Sequence, residues 1–262
     1  MVYRTFELPE DLRSVVRFGW SLESTSGGSM PHRLMAETCP NIVVVRTGTF
    51  VEADGSSAAP VHLAGALSRA TDQQAEGPFS LYGIYLWPWA VRALFQLGAA
   101  DMQDAFIALA DLLPGDTHVD HWPMLQQENW CADVARTLRS LSRNTGSDTS
   151  VEQAVRAMLE EPTFRSVEAH ALSCGLARRQ FERRFKECTG FSPALFMRIL
   201  RFQRTYRLLE SGRSHNLTEV ALEAGYFDQS HFIRDFKRFG GMEPKAYFRH
   251  APEKVDNFVR LP

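Results

Sequence analysis

Ala171–Pro193 reads ALSCGLARRQFERRFKECTGFSP, and Ala221–Pro244 reads ALEAGYFDQSHFIRDFKRFGGMEP. Both reduce to A-L-x-x-G, then five or six residues, then F-x-R-x-F-K-x-x-x-G-x-x-P. A pattern repeated on this scale means one supersecondary unit used twice. A short helix, a turn at Gly175 or Gly225, and a second helix ended by glycine before a proline make each unit a helix-turn-helix.

The second helix of each copy has two faces. Phe181 and Phe185 are four apart and fall on one side, as do Phe232 and Phe236. At about 100° per residue, Arg179, Glu182, Arg183 and Lys186 fall opposite the first pair. Ser230, Ile233, Arg234 and Lys237 fall opposite the second. An apolar anchor with a polar outer face suits a helix that reads the major groove. Arginine can fork onto guanine, glutamate can accept from cytosine, and isoleucine can pack on a thymine methyl. Two amphipathic hairpins with merely solvated charge would share the pattern, but not its duplication in anchor, arginine and terminator.

The copies are offset by 50 residues up to the glycine and 51 after it. A helix over 192–211 between them would span roughly 30 Å. That is close to the ~34 Å between successive major-groove faces. One chain is therefore expected to contact about two turns of duplex.

Around this unit, 262 residues suffice for one to two domains with a real core. The chain has a net charge of −2, unevenly distributed. Residues 1–150 carry 10 Arg, no Lys and 17 Asp/Glu, whereas 151–250 carry 17 Arg/Lys and 12 Asp/Glu. A basic C-terminal part joined to an acidic N-terminal part points to a polyanion partner for the former. No apolar run approaches a membrane span, and the start of the chain lacks the apolar segment of a signal peptide. Cys39, Cys131, Cys174 and Cys188 form no C-x-x-C pair and read as reduced thiols of a cytoplasmic protein.

The fold expected is α+β: a β-rich, small-barrel-like N-terminal domain with a few helices, then an all-α, seven-helix double helix-turn-helix domain. Val15–Leu22, Asn41–Val51 and Phe79–Trp87 have strand character, separated by turn formers. Pro88 opens a helix to about Leu97, Asp101–Leu113 reads as helical, and Met124–Leu141 as a longer helix. The expected divisions are 1–122 for sensing or regulation, 123–141 as a connecting helix, 142–150 as a linker, 151–250 for DNA and 251–262 as a tail. The seven C-terminal helices are expected over 151–160, 166–174, 177–187, 192–211 (with Gly212 as C-cap), 217–224, 228–239 and 244–250.

With those residues in view, about 100 residues from Val151 to Arg249 resemble the DNA-binding domain of AraC/XylS-type bacterial transcription regulators. The stretch VALEAGYFDQSHFIRDFK, followed by Pro244 and Tyr247, carries the likeness most strongly. The resemblance implies a sequence-specific regulator whose two recognition helices dock in successive major grooves. It implies duplex DNA and RNA polymerase as partners and modulation through an effector or through a second copy of the chain. The implied DNA contacts are Arg178, Arg179, Glu182, Arg183 and Lys186 in the first head. In the second they are Gln229, Ser230, His231, Arg234 and Lys237. The two lysines are assigned to phosphates. The first head is expected to dominate base discrimination, and the sequence leaves the sign of regulation, activator or repressor, open. Three positions depart from the family pattern: Ala177 where Ser or Thr usually caps, Gly240 where an aromatic is usual, and Phe227 where a polar residue is common.

LYGIYLWPWAVRALF (Leu81–Phe95) and the later L-x-D-L-L-P-G resemble a poorly characterised N-terminal domain of some such regulators. Phe79, Trp87, Trp89 and Phe95 could wall an effector pocket there or simply form core. Asp116, His118, Asp120 and His121 could hold a metal or form a polar loop. No metal or other cofactor is expected. No arrangement of nucleophile, base or phosphate-binding glycines specifies an enzyme. The alternative is an enzymatic or metal-sensing N-terminal domain tethered to a DNA-binding module.

Overall fold

The computed structural model describes residues 2–52, 54–113, 115, 117–142, 148–160, 165–210, 217–250 and 255–256. The longest strand organises the N-terminal part. This is β6 (Thr71–Leu86), 16 residues long. On one side β4 (Asn41–Val51) pairs antiparallel along most of it. On the other, β3 (Ser29–Leu34) pairs its first half and β2 (Val16–Ser24) its second. β1 (Val2–Phe6) extends the sheet beyond β2; β5 (Val61–Ala64) and β7 (Phe106–Ala108) extend it beyond β4. A short β8 (Val255–Asp256) lies parallel to β3. Among the described residues β1 and β7 do not pair, so the barrel-like sheet curls without closing through hydrogen bonds.

Both faces of the sheet centre are apolar, and the two-residue period sorts them. Ile42, Val44, Tyr82, Ile84 and Leu86 face a core completed by helices α1 (Ala90–Phe95) and α2 (Gln127–Leu141). Phe18, Trp20, Leu22, Phe79, Leu81 and Tyr85 face the concave side. The expected connecting helix is this α2, packed through Trp130, Val134 and Leu138 onto the sheet. Arg139 on it clamps Asp11 through two hydrogen bonds of 2.6 and 3.0 Å, which hold the Asp11 carboxyl below the usual range.

The stretch 101–113 departs from the helix expected there. It begins as turns, Phe106–Ala108 joins β5 as a strand, and Leu109–Leu112 forms a 3-10 turn. The helical expectation weighed the apolar content of DAFIALADLL, but the free edge of β5 offers backbone partners that a lone helical turn cannot match.

The C-terminal part has seven helices among the described residues of 149–250: α3 (Thr149–Glu160), α4 (Val167–Ser173), α5 (Arg178–Thr189), α6 (Pro193–Glu210), α7 (Leu217–Glu223), α8 (Gln229–Gly240) and α9 (Pro244–His250). Most of the linker expected at 142–150, the C-cap expected at Gly212, Asp116 of the acidic–histidine cluster and most of the tail lie outside the described residues. Eight buried phenylalanines centre the helical core: Phe181, Phe185, Phe191, Phe196, Phe202, Phe232, Phe236 and Phe239. Met35, Ala36, Ala66, Trp87 and Trp89 of the sheet domain belong to the same cluster, so the two parts share one apolar junction.

Candidate nucleic-acid interface

The two helix-turn-helix units repeat atom by atom at the turn. Leu176 N donates to Ala171 O at 3.0 Å, and Tyr226 N to Ala221 O at 2.9 Å. Gly175 and Gly225 sit at φ of 66° and 81°, a region costly to side chains and open to glycine. The helices that follow are anchored alike. Phe181 and Phe185 meet at 5.4 Å between ring centres, Phe232 and Phe236 at 5.6 Å, and all four are fully buried. Between the units, α6 has 18 residues, a rod of about 27 Å.

The caps differ. Asp228 accepts from His231 N at 2.7 Å, a full side-chain cap. Ala177 has no side-chain acceptor; instead Gln180 Oε1 accepts from the Ala177 N–H at 3.4 Å, one half of a capping box. α5 therefore lacks a contribution of about 1 kcal/mol that α8 has. At the other end of α8, Phe239 is fully buried and packs 5.7 Å from Phe202. It fills the space beside Gly240, where a Cβ would meet the Phe202 ring at 3.3 Å. Phe227 stands 90% exposed at the turn before α8.

The expected contact residues lie on the open side of their helices. Arg178, Arg179, Arg183 and Lys186 are exposed on α5, with Glu182 half-buried. Ser230, Arg234 and Lys237 are exposed on α8, with Gln229 and His231 half-buried. Several are engaged within the protein. Arg178 pairs with Glu168 and, at 2.9 Å, with Glu182; Arg183 pairs with Glu187 at 2.9 Å. Arg234 Nε donates to Ser230 O at 3.4 Å, and Gln229 Oε1 accepts from Thr218 at 3.3 Å. Exposed pairs of this kind contribute little and can exchange for a phosphate or base edge. Sequence reasoning missed Asp235, which is on α8 but faces inward, held by Arg198 of α6 at 2.6 Å. Its four-residue spacing from His231, with 3.6 Å between the two side chains, is the signal that could have found it.

The C-terminal ends of α5 and α8 rest on the sheet domain. Ala36 N donates to Phe239 O at 2.8 Å and Ala70 N to Arg238 O at 3.2 Å. At the end of α5, Gly190 lies so close to Ala99 that a Cβ would come within 2.6 Å of its carbonyl oxygen. Gln203 of α6 adds a 3.4 Å hydrogen bond to Ala36 O.

The aromatic wall expected from Phe79, Trp87, Trp89 and Phe95 does not line one pocket. Trp87 and Trp89 stack at 5.0 Å and donate to the carbonyls of Arg13 and Ser14. The Arg156 guanidinium of α3 lies 3.9 Å from the Trp87 ring centre, so this pair is part of the domain junction. Phe95 is in the core between sheet and α1–α2, and Phe79 packs on Phe50. The reason is positional: Tyr85, Trp87 and Trp89 share one parity, but the last two lie beyond the end of β6, over the helical domain. Arg156→Ala should lower stability by about 1–2 kcal/mol, the range for a desolvated cation over tryptophan. Urea unfolding of the whole chain measures it, and no change in midpoint would show that the stacking contributes nothing.

His121 of the acidic–histidine cluster bonds Asp133 of α2 at 2.9 Å, which also accepts from Trp122 at 2.9 Å. Among the described residues no three histidine, cysteine or acidic side chains converge as a metal site. No described helix is long and apolar enough to cross a membrane. The four cysteines are free thiols, and burial pushes Cys188 well above the usual range.

Residues 169–250 match the family described as "Helix-turn-helix domain". This chain carries an AraC-type helix-turn-helix domain. Residues 4–108 match a domain of unknown function (DUF6597). The AraC-type region is 27% identical over 108 residues to the HTH-type transcriptional regulator MtrA of Neisseria gonorrhoeae, covering 41% of this chain and 36% of that one. It is 32% identical over 103 residues to the HTH-type transcriptional activator RhaS of Salmonella schwarzengrund, covering 38% of this chain and 36% of that one. The match thus spans about a third of the length of these curated relatives. The solved structure of ToxT from Vibrio cholerae aligns over 95% of this chain and 98% of its own, with a TM-score of 0.50 and 9% identity. The sheet domain followed by the AraC-type helical domain is therefore a two-domain fold shared with ToxT.

Proposed function

We propose that the protein is a transcription regulator that binds duplex DNA sequence-specifically, with α5 and α8 entering successive major grooves. One observation carries this reading. Two equivalent helices each bury a phenylalanine pair, expose a polar face at the front, and are held from behind by the same sheet domain. Rigid backing fixes the distance between the heads, and a fixed distance is what a two-turn DNA site selects. The matched relatives, named as HTH-type regulators, support the same reading.

Within it, Arg179 and Arg183 on α5 and Ser230, His231 and Arg234 on α8 are assigned to base edges or nearby backbone. Glu182 is the cytosine acceptor, Arg178 and Gln229 stand at the helix starts, and Lys186 and Lys237 hold phosphates. RNA polymerase is a proposed partner. The sheet domain modulates binding because Ala36 and Ala70 grip the end of α8: a ligand or second copy that moves them changes how α8 meets the groove.

Arg234→Ala is expected to weaken binding by about 1–3 kcal/mol at the native site, with the loss concentrated at one base pair. Lys237→Ala is expected to weaken all sequences nearly uniformly and to reduce the salt slope by about one. Competition titrations against a panel of single-base variants separate the two. A uniform loss for Arg234→Ala would make Arg234 a phosphate contact and refute its assignment as a reader.

A further inference from the structure

On its concave side the curled sheet holds a cavity of about 80 Å³, room for a molecule of a few heavy atoms rather than one water. Its walls include Tyr3, Trp20, Phe50 and Phe106, and its polar groups include Glu37 and His62. Among the described residues no lysine or arginine side chain lines it. Glu37 lies in the loop between β3 and β4, half-buried, its carboxyl accepting a 3.4 Å hydrogen bond from Asn41. The Arg17 charge acts on it and favours the carboxylate, while the Arg17 guanidinium itself donates to Cys39 Sγ at 3.4 Å and lies 4.9 Å from the Trp87 ring centre. Burial nonetheless pushes the Glu37 carboxyl well above the usual range. The Tyr3 hydroxyl is also buried there and has no hydrogen-bond partner in the structure.

A second, open pocket adjoins the cavity and shares Ala58, His62 and Phe106 with it. Glu52, Asp54 and Asp104 line this outer pocket, again with no lysine or arginine among the described residues. An acidic approach leads to an aromatic chamber that holds the Glu37 carboxyl and, among the described residues, no lysine or arginine. Field lines of one sign in such a cleft concentrate the opposite ion, and aromatic faces favour a desolvated cation.

We propose that this cavity binds a compact organic amine in its protonated form, with the Glu37 carboxylate as counter-ion, the Tyr3 hydroxyl as hydrogen-bond partner and the Tyr3 and Trp20 rings as walls. The assignment deepens, and rests on, the reading of the sheet domain as the regulatory part. The residue next to Glu37 is Ala36, whose N–H holds the end of α8. An ion pair formed at Glu37 therefore acts one residue from the junction with the second head.

Isothermal titration of the full chain, without DNA, tests the site. Ethylamine is the probe; ethanol and acetate are its neutral and anionic counterparts. Ethylamine should bind one per chain and at least ten-fold more tightly than either counterpart. Glu37→Gln should abolish that preference while leaving the weak binding of ethanol unchanged. Tyr3→Phe, which removes only the hydroxyl, should weaken ethylamine several-fold. Absence of ethylamine binding at millimolar concentration, equal or tighter binding of acetate or ethanol, or full ethylamine affinity in folded Glu37→Gln would each overturn the proposal. Binding of the unliganded protein to a selected DNA site is scored separately. Amine binding by a protein that ignores DNA would sustain the site and refute the regulatory reading.

Discussion

Phe236→Ala is expected to destabilise the helical domain by about 3–5 kcal/mol, the range for truncating a fully buried phenylalanine. Phe236 has no exposed surface and touches three elements at once. Its ring centre is 5.2 Å from Phe202 of α6, 5.6 Å from Phe232 of its own helix and 5.9 Å from Tyr247 of α9. Surroundings made of large, interlocked rings collapse poorly around a void, which keeps the cost in the upper part of the range. A domain of ordinary stability holds about 5–15 kcal/mol in total, so this one change removes a large share. It should show as a lower urea midpoint at unchanged slope. A shift equivalent to less than 1 kcal/mol would mean that the second unit does not depend on the aromatic junction.

Arg198→Ala is expected to cost about 3 kcal/mol. Its partner Asp235 lies on the inner side of α8 with 1% of its side chain exposed. Arg198 grips both carboxylate oxygens, at 2.6 and 3.4 Å, and the hydrogen bonding to Asp235 raises the Arg198 pKa above its ordinary value. Removing the arginine leaves a carboxylate buried against helix and rings, with His231 at 3.6 Å. Breaking such a pair typically costs about 3–5 kcal/mol. The lower end applies because 38% of the Arg198 side chain is exposed, so water can reach the vacated site. The double variant Arg198→Ala/Asp235→Leu should recover much of the loss, since no buried charge remains. A double variant as unstable as the sum of its single changes would show that the pair matters as packing and not as charge.

The helical domain was largely legible in the sequence because its signals are local. Ser166 and Asp228 each accept a backbone N–H as caps, and Gly190 and Gly241 end α5 and α8 in the left-handed region. The phenylalanines repeat at four-residue spacing, and all seven expected helices appear within one or two residues of their expected ends. The sheet domain was legible only where strands are apolar. The first half of β6, TDQQAEGP, reads as loop from its polar residues and Gly77-Pro78, yet it pairs on both sides. β1, β3 and β5 are too short or too polar to stand out, and they owe their conformation to the neighbours that complete their hydrogen bonds.

The cavity was least legible of all. Tyr3, Trp20, Glu37 and Phe106 come together from four places over more than 100 residues. Periodicity shows which side chains share a face of a strand, but the curl of the sheet decides which faces meet. The candidate DNA contacts were more accessible, because outward placement follows from inward placement of the phenylalanines on the same helix.

The central claim is that one chain sets two heads into successive major grooves of one DNA face. Hydroxyl-radical footprinting on a fragment selected from random sequence, at a measured protein-to-DNA ratio, tests it most directly. The result expected is a 1:1 complex with two protected segments about 10–10.5 base pairs apart, centre to centre. Arg183→Ala should weaken protection in one segment and Arg234→Ala in the other. A single protected segment at 1:1, with the second appearing only when two chains are bound, would contradict it.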